Sequence, residues 1–424
     1  MQLSDLRAVD RAAVRRSVTS FRRRAGALRA QTVLHSATTR LGSQLVRADE
    51  PVEADVVVHF AEAPDRLYQL DQWFPVLERL AERHRVVLLL RHLQTPKAVA
   101  GRTSLPVVCV PSFLDLMSLY QRNDFKLGIY VNNADRNFQS LGNPGMLHVH
   151  VGHGDSDKLA SGSNQAKSYD RVFVAGPAAA KRYLDALMEF DEGKLVMIGR
   201  PQLDFPLPDA LGPSPRRTVL YAPTWEGATE ENNWTSVDVF GTRIVEAALA
   251  LRDVRLVYKP HPRIPGSPSP AIARAHRSIV RQIETANAHD EGAGHVVTTA
   301  GNILEMLARC DALVSDVSSV SLDFLYLRPE CPIFLTDRRN DGDQFLAVTR
   351  LAEGADVVDG ASIGSFQGLL ADRLDDDARR EDRAGTRKGY FGDLSPGTSL
   401  AGFLDAVDTL IRTRDRLVAP RHHA

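Results

Sequence analysis

Short apolar runs rich in β-branched residues recur along most of this chain, and segments of helical periodicity separate several of them. Runs of this length and composition are typical of strands that are buried on both faces. Strands that alternate with helices indicate a parallel sheet covered by helices on both sides. In the first half of the chain we predict strands at 56–60, 86–90, 107–110, 127–131, 147–151, 172–174 and 196–198, and helices that include 73–83 and 178–190.

Four prolines within residues 205–215 interrupt this alternation. Proline-rich segments are stiff and extended, which is typical of a linker between domains. A chain of 424 residues is also longer than one hydrophobic core usually supports. We therefore predict a doubly wound, Rossmann-like N-terminal domain at 51–205, a linker at 206–215 and a second such domain at 216–397, followed by a C-terminal helix and tail at 398–424.

The alternation resumes after the linker. Charged residues dominate 372–387, where we expect a solvated loop or a frayed helix. Residues 398–417 have the pattern of a final helix, with Thr398 and Ser399 as candidate N-caps and Phe403 on an apolar face that could pack on a neighbouring domain. The predicted strands of this half are 218–221, 254–258, 295–298, 312–314, 332–335 and 357–359, and the predicted helices are 236–251, 270–286, 303–308 and 319–326.

The charge of the whole chain is balanced, with 52 Lys and Arg against 53 Asp and Glu. A dedicated nucleic-acid-binding protein usually has a basic excess, so we expect no nucleic acid partner. Three cysteines without a Cys-x-x-Cys pair indicate neither a disulfide framework nor a cysteine-type zinc site. Because the chain has no apolar run of about 18 residues and no signal-peptide core, we expect a cytoplasmic protein.

The first 50 residues differ from this average, because ten arginines there face only four acidic residues. Apolar residues recur at helical spacing between the arginines, so we predict a basic helical extension over 1–50. Such a helix can lie on an anionic membrane surface, which would place residues 1–30 in peripheral contact with the inner face of the cell membrane. The alternative is a solvated helix that packs one apolar stripe on its own domain.

Four polar clusters follow predicted strands, and ligands of parallel α/β sheets bind beyond the carboxyl ends of the strands. In the first cluster, His148 and His150 share one strand face, while His153 lies in a turn flanked by glycines. A neutral imidazole in such a turn suits general-base catalysis near pH 7. The alternative is that these histidines satisfy hydrogen bonds in the core. Their spacing is similar to that of metallo-β-lactamase-like hydrolases, but Gly152 stands where those enzymes have Asp and no ligand set is complete, so we expect no metal.

The second and third clusters offer hydroxyl and basic side chains at strand ends. Thr224 follows Pro223, where it could donate a hydrogen bond to a phosphate oxygen, and Trp225 beside it is either a ligand contact or a packing anchor. His261 lies between two prolines that stiffen its loop, and the guanidinium of Arg263 suits a diphosphate. Ordinary solvated charge is the alternative for the basic residues.

The fourth cluster places Ser318 and Ser319 at a predicted helix N-terminus, where backbone N–H groups and the helix dipole favour a phosphate. An ordinary N-cap is the alternative. We expect Asp316 to orient the turn, because a second anion would repel a phosphate. Asp323, one turn into the helix, is either an acceptor for a ribose or polyol hydroxyl or an acid that complements the helix dipole.

In combination, these clusters resemble the CDP-glycerol glycerophosphotransferase family, the teichoic-acid polymerase-like enzymes of bacterial cell envelopes. Residues 221–225 reproduce the family's Tyr-Ala-Pro-Thr-Trp, and 259–263 are similar to its Pro-His-Pro-type loop. Residues 315–324 are similar to its Thr-Asp-Tyr-Ser-Ser-x-x-x-Asp-Phe segment. The His-Gly-Thr-Pro-Leu-Lys loop of the family is matched at His153, Gly154 and Lys158, whereas 155–157 read Asp-Ser-Asp.

The resemblance implies a GT-B fold, in which two Rossmann-like domains face a cleft with the acceptor side N-terminal and the nucleotide side C-terminal. It implies a transferase that moves glycerol phosphate, or a similar polyol phosphate, from a CDP-linked donor to a hydroxyl of a cell-envelope polymer or lipid-linked acceptor, without a cofactor. His153 would deprotonate that hydroxyl. His261, Arg263 and the helix start at Ser318 and Ser319 would bind the diphosphate.

Three other functions stay open on these residues. A GT-B glycosyltransferase or epimerase that acts on a sugar nucleotide would use the same diphosphate chemistry. A non-enzymatic envelope-associated protein would keep the fold and lose activity through the altered 155–157 loop. A metallohydrolase would use the histidines of the first cluster and would contain stoichiometric zinc.

Overall fold

The structure, a computed structural model, describes residues 41–158, 162–206 and 209–419, apart from the side chain of Ser43. Most of the predicted basic extension, with its membrane contact through 1–30, lies outside these residues. None of the described helices is both long and apolar enough to cross a membrane.

The described strands form two parallel sheets, one of eight strands and one of six, and helices separate most of them. This arrangement confirms the predicted α/β class. By compactness the chain divides into residues 1–147 and 148–424. The proline-rich segment lies within the second unit, where Arg255 donates to the carbonyls of Leu211 and Gly212, both at 3.1 Å. The domain limits stated above stay a prediction.

The described part of the first unit wholly contains five parallel strands, in the order β1-β4-β3-β2-β5. Every residue of β2 and β3 is buried, because both strands are covered on both faces, and all of these residues except His59 are apolar. The strands are β1 (Leu45–Val46), β2 (Val56–Phe60), β3 (Val86–Leu90), β4 (Val107–Cys109) and β5 (Leu127–Tyr130), and the helices are α1 (Tyr68–Asp71), α2 (Phe74–Ala81), α3 (Thr95–Val99), α4 (Phe113–Arg122) and α5 (Asn137–Leu141).

Strand β1 corrects one prediction. Residues 45 and 46 were assigned to the helical extension, but they are extended and pair with Val107 and Val108 of β4. Apolar spacing does not distinguish a helix from a two-residue edge strand, because the pairing partner is 62 residues away in sequence.

The second unit begins within strand β6 (Leu147–His150), which pairs with β7 (Arg171–Val174), and β7 in turn pairs with β8 (Leu195–Met197). The other strands of this unit form the six-stranded sheet, in the order β11-β10-β9-β12-β13-β14. They are β9 (Arg217–Ala222), β10 (Val254–Tyr258), β11 (Val296–Val297), β12 (Ala312–Ser315), β13 (Ile333–Thr336) and β14 (Asp356–Val358). Every described strand from β2 onward begins and ends within one residue of its predicted limits.

Strand β9 is central in the six-stranded sheet, with β10 and β12 on either side. Tyr221 of β9 is opposite both Tyr258 of β10 and Val314 of β12. Alternate residues of a strand point to opposite faces of the sheet. Leu220 belongs to one apolar cluster and Tyr221 to the other, so both faces of the sheet are covered. The register brings the carboxyl ends of β9, β10 and β12 side by side, and the second, third and fourth polar clusters follow these ends.

The second unit contains nine of the described α-helices. They are α6 (Pro177–Ala186), α7 (Thr242–Leu249), α8 (Pro270–His289), α9 (Leu304–Leu307), α10 (Ser319–Leu327), α11 (Gly342–Val348), α12 (Phe366–Asp375), α13 (Arg380–Phe391) and α14 (Ser399–Val418). A π-helical turn, Val237–Gly241, precedes α7.

Most of 372–387 is helical and not a loop, and although most of its residues are exposed or half-buried as expected, Arg383 of α13 is an exception. Arg383 is fully buried, and its guanidinium donates to Asp377 and to the carbonyls of Pro329 (2.8 Å) and Gly354 (3.3 Å). A charged side chain can be buried when its donors are satisfied in this way. The partners come from segments distant in sequence, so composition alone indicates solvent.

Helix α14 is confirmed, but its predicted caps are not. Thr398 occupies the N-cap position without a side-chain bond to the helix, because its hydroxyl donates to the carbonyl of Ser395. The Ser399 hydroxyl instead accepts from the backbone N–H of Arg200 at 3.0 Å. The apolar face is buried, with Phe403 packed edge to face on Phe173 of β7.

Candidate functional site

The loops that follow β9, β10 and β12 are joined by hydrogen bonds. The backbone N–H of His261 donates to the carbonyl of Pro223 at 3.0 Å, and that of Lys259 donates to the carbonyl of Tyr221 at 2.9 Å. The backbone N–H of Thr224 donates to the carboxylate of Asp316 at 2.7 Å. Three of the four predicted clusters therefore form one continuous surface at the edge of the six-stranded sheet.

Asp316 holds two of these loops together. Its side chain is fully buried, and besides the N–H of Thr224 it accepts from the hydroxyl of Thr336 at 2.6 Å. Burial raises the pKa of Asp316 to about 6, although its hydrogen bonds and the nearby Lys158 ammonium favour the charged form. The residue orients the turn, as expected, and does not present a free carboxylate to a ligand.

The first cluster reaches the same surface through the loop after β6. The ammonium of Lys158 donates to the hydroxyl of Thr224 at 3.1 Å, and burial lowers the pKa of Lys158. Gly154 lies directly on Ser319, because a Cβ added at Gly154 would stand 2.8 Å from the Ser319 Cβ. His153 precedes this contact and is half-buried. All four clusters are thus brought together within the second unit.

The close contact at Gly154 predicts the effect of one methyl group. Gly154→Ala should push the loop away from Ser319, and a misplacement of about 1 Å can slow an enzyme by roughly 100-fold. For the activity that the resemblance implies, we expect CMP release from CDP-glycerol to fall by about 10- to 100-fold. Gly402→Ala is the control, since a Cβ at Gly402 meets no atom within 4 Å. Equal rates for the two variants would contradict the contact.

His261, Trp225 and Arg263 form a stack. The rings of His261 and Trp225 lie 6.0 Å apart at 31°, and the Arg263 guanidinium is 4.2 Å from the Trp225 ring centroid. Trp225 is therefore a packing platform for the two basic side chains. Burial, assisted by the positive charges of Lys158, Arg263 and Lys259, lowers the pKa of His261 to about 3.

The low pKa makes His261 a neutral imidazole near pH 7. Its Nδ1 accepts from the backbone N–H of Arg263 at 3.2 Å, so the ring proton is on Nε2 and can be donated from there. The positive charge of the site comes instead from Arg263, Lys158 and Lys259. Burial lowers the pKa of Lys259 to about 8, and its ammonium donates to the carbonyl of Thr299 at 3.0 Å.

Ser318 and Ser319 are placed at the start of α10, as predicted. Ser318 is the N-cap residue, but its side chain makes no capping bond, and its hydroxyl lies 3.3 Å from that of Ser315. Ser321 donates to the carbonyl of Ser318 at 2.8 Å, which holds the turn. The alternative of an ordinary side-chain N-cap is therefore not what the structure has.

Asp323 is placed differently from the other predicted residues. Its two carboxylate oxygens accept from the Arg200 guanidinium at 2.7 and 3.1 Å, and both side chains are 5% exposed. This pairing leaves the predicted contact with a ribose or polyol hydroxyl without support. Arg200 was missed because nothing in its local sequence indicates a partner 123 residues away.

The other two histidines of the first cluster lie in the core. His148 and His150 are buried, and the His150 ring stacks on Tyr169 at 5.1 Å. Among the residues that the structure describes, no group of three or more His, Cys, Asp or Glu is arranged to hold a metal ion.

The segment that contains the four clusters also matches a known protein family. Residues 145–338, which include all four clusters, match the model of the family described as CDP-Glycerol:Poly(glycerophosphate) glycerophosphotransferase. The fold and the matched segment together define a transferase of the GT-B class. More narrowly, this segment, which is just under half of the chain, is similar to the CDP-glycerol glycerophosphotransferase family, and the match bears out the resemblance and the expectation of an enzyme. No curated protein matches the chain significantly in sequence.

Solved structures share the fold at low sequence identity. A wall teichoic acid polymerase, TagF, matches 94% of this chain and 98% of its own, with a TM-score of 0.56 and 14% identity. A His-to-Asn variant of TagF with CDPG gives a TM-score of 0.57 at 14% identity, over 85% of this chain and 89% of that one. A putative UDP-N-acetylglucosamine 2-epimerase from Listeria monocytogenes gives 0.53 at 13% identity, over 84% and 96%. At these identities the likeness shows the GT-B fold alone.

Proposed function

We propose that this protein transfers glycerol phosphate, or a similar polyol phosphate, from a CDP-linked donor to a hydroxyl of a cell-envelope polymer or lipid-linked acceptor. One observation carries the proposal: the 152–158 loop, with His153, lies on the helix start at Ser319 and on Thr224. The loop of His153, the expected base, is thereby next to hydroxyls, a helix N-terminus and three basic side chains. Such surroundings suit a diphosphate.

In the proposed reaction, the acceptor hydroxyl attacks the β-phosphorus of the CDP-alcohol. A new bond forms between the acceptor oxygen and phosphorus, the bond from phosphorus to the bridging oxygen breaks, and CMP leaves with that oxygen. His153 takes the proton of the hydroxyl. Arg263, Lys158 and the Ser318–Ser319 helix start balance the negative charge, and the Nε2–H of His261 donates to it. The proposal needs no cofactor or metal, and the ligand contact of Thr224 belongs to it as a prediction.

Peripheral contact with the inner face of the cell membrane is part of the proposal. It rests on the ten arginines of the first 50 residues, which would bring the enzyme to a lipid-linked acceptor. Removal of residues 1–30 should then release the protein from vesicles that contain anionic lipid, and binding that persists would contradict this part.

A donor panel tests the reaction. CMP release should occur with CDP-glycerol or another CDP-alcohol in the presence of a hydroxyl acceptor, and titration calorimetry should give weaker binding for UDP-sugars. The epimerase-like fold makes a sugar nucleotide the competing donor. Tight binding of a UDP-sugar without CMP release from any CDP-alcohol would favour the glycosyltransferase or epimerase. Binding of a CDP-alcohol without turnover would favour an inactive envelope-associated protein.

A further inference from the structure

The loop that carries His153 is held by two aspartates that the family motif lacks. Arg182 of α6 donates through Nη1 to Asp157 at 2.7 Å and through Nη2 to Asp155. These side chains are largely buried, with 20% of Arg182, 15% of Asp155 and 6% of Asp157 exposed. Because the guanidinium fork engages both carboxylates at once, it fixes their separation and direction as well as their charge.

The second oxygen of Asp157 is held from the C-terminal part of the chain. It accepts from the hydroxyl of Thr349 at 2.7 Å and from that of Tyr390 at the end of α13. The Tyr390 oxygen in turn accepts from the backbone N–H of Leu351 at 3.0 Å. Asp157 is thus fixed by three segments that are at least 25 residues from it in sequence.

Close backbone packing places these segments. The end of α13 approaches the start of α6 so closely that a Cβ at Gly176 would stand 2.7 Å from the Cα of Phe391. Helices α6 and α13 therefore form one support, from which Arg182 and Tyr390 extend to the loop.

Arg182 and Tyr390 bind the loop between the two residues through which the loop contacts the site. Gly154 lies against Ser319 on one side of the aspartates, and Lys158 donates to Thr224 on the other. Within the loop, the backbone N–H of Lys158 also donates to the Ser156 hydroxyl at 3.2 Å. Both aspartates are bound by Arg182, and Asp157 is bound through both of its oxygens.

Removing these charges from water costs free energy, so stabilisation of the fold alone is a poor explanation for the cluster. Buried ion pairs often contribute little to stability compared with apolar packing, but they impose one geometry. Burial raises the pKa of Asp157, whereas Arg182 and the hydroxyls of Tyr390 and Thr349 favour its charged form. Geometry is therefore the property that the cluster provides.

We propose that Arg182 is a positioning residue, which together with Asp155, Asp157 and Tyr390 forms a clamp that holds His153 and Lys158 against the ends of β9 and β12. The activity readout of this inference rests on the proposed function, whereas its structural readout does not. The Asp-Ser-Asp sequence at 155–157 then supports the loop in a different way and does not inactivate the enzyme.

Arg182→Met tests the clamp in the full-length protein. Amide hydrogen exchange of the 152–158 segment should become at least about 10-fold faster, because the loop opens more often. For a wild-type enzyme that releases CMP, kcat should fall roughly 10- to 100-fold, while KM for CDP-glycerol stays within about twofold. Lys181→Met is the matched control: its ion pair with Asp185 is exposed on the same helix and its removal should change neither quantity.

Two conservative variants keep the test decisive. Arg182→Lys preserves the charge but not the fork, so its exchange rate and kcat should lie between those of wild type and Arg182→Met. Tyr390→Phe removes one hydroxyl and should accelerate exchange in 152–158 by a smaller factor; it carries the test if Arg182→Met does not fold.

Unchanged exchange in a folded Arg182→Met, or in Tyr390→Phe, overturns the clamp. Absence of CMP release from the wild type overturns the proposed function instead, and the exchange result still decides the clamp.

Discussion

His153→Ala is expected to abolish most CMP release from CDP-glycerol while CDP-glycerol binding stays nearly intact. The imidazole belongs to the loop in which Gly154 contacts Ser319 and Lys158 contacts Thr224, and the proposed function makes it the base for the acceptor hydroxyl. Loss of a general base typically slows a reaction about 10²–10⁴-fold. CMP release measures the rate, and titration calorimetry measures the affinity for the donor.

His289→Ala is the matched control for this experiment. His289 is exposed at the end of α8, where its Nδ1 contacts the carbonyl of Thr285, and we expect wild-type turnover when it is removed. Near-normal turnover of His153→Ala would exclude this residue as the base. A parallel loss of donor affinity and turnover would mean that the imidazole binds the donor instead.

Arg200→Met is expected to lower the free energy of unfolding by about 3–5 kcal/mol, the usual result of removing one partner of a buried ion pair. Both oxygens of Asp323 are bound by Arg200, and both residues are 4% exposed. Burial raises the pKa of Asp323 and Arg200 opposes that rise. In the variant, the folded-state pKa of Asp323 therefore rises further above its unfolded value, so the folded state binds the proton more tightly. The stability deficit should accordingly grow as the pH rises through the raised pKa of Asp323 in the variant.

Denaturant unfolding at several pH values measures this deficit. Arg200→Met combined with Asp323→Leu removes the uncompensated carboxylate and should recover most of the lost stability, because apolar packing can replace a buried pair. Lys181→Met is the control for an exposed pair and should cost no more than about 1 kcal/mol. A single-variant deficit as small as that of the control, or one that shrinks as the pH rises, would contradict this account of the pair.

The parallel strands could be predicted almost to the residue because their signal is local. The run of β3 is apolar at every position and that of β2 at every position except His59, which occurs where both faces of a strand are covered. The polar residues that follow them were predictable for the same reason, since the carboxyl ends of parallel strands lie at one edge. Thr224, His261 and Ser318 were found in this way.

The partners of buried charges could not be predicted. Asp323 reads as an acid near a helix start, and only the structure pairs it with Arg200. Arg383 reads as one charge among many in a solvated stretch, but it is buried with Asp377 and two backbone carbonyls. In each case the decisive contact is with a group whose distance in space cannot be read from its separation along the chain.

By itself, the sequence determined the alternation of strands and helices, the four polar clusters and the resemblance to a family, because each of these depends on residue types within short segments. The tertiary structure alone decided which charges are paired and buried, that burial lowers the pKa of His261, and that the loop of His153 lies on Ser319. These properties depend on desolvation and on contacts between distant segments. Both arise only when the chain has folded.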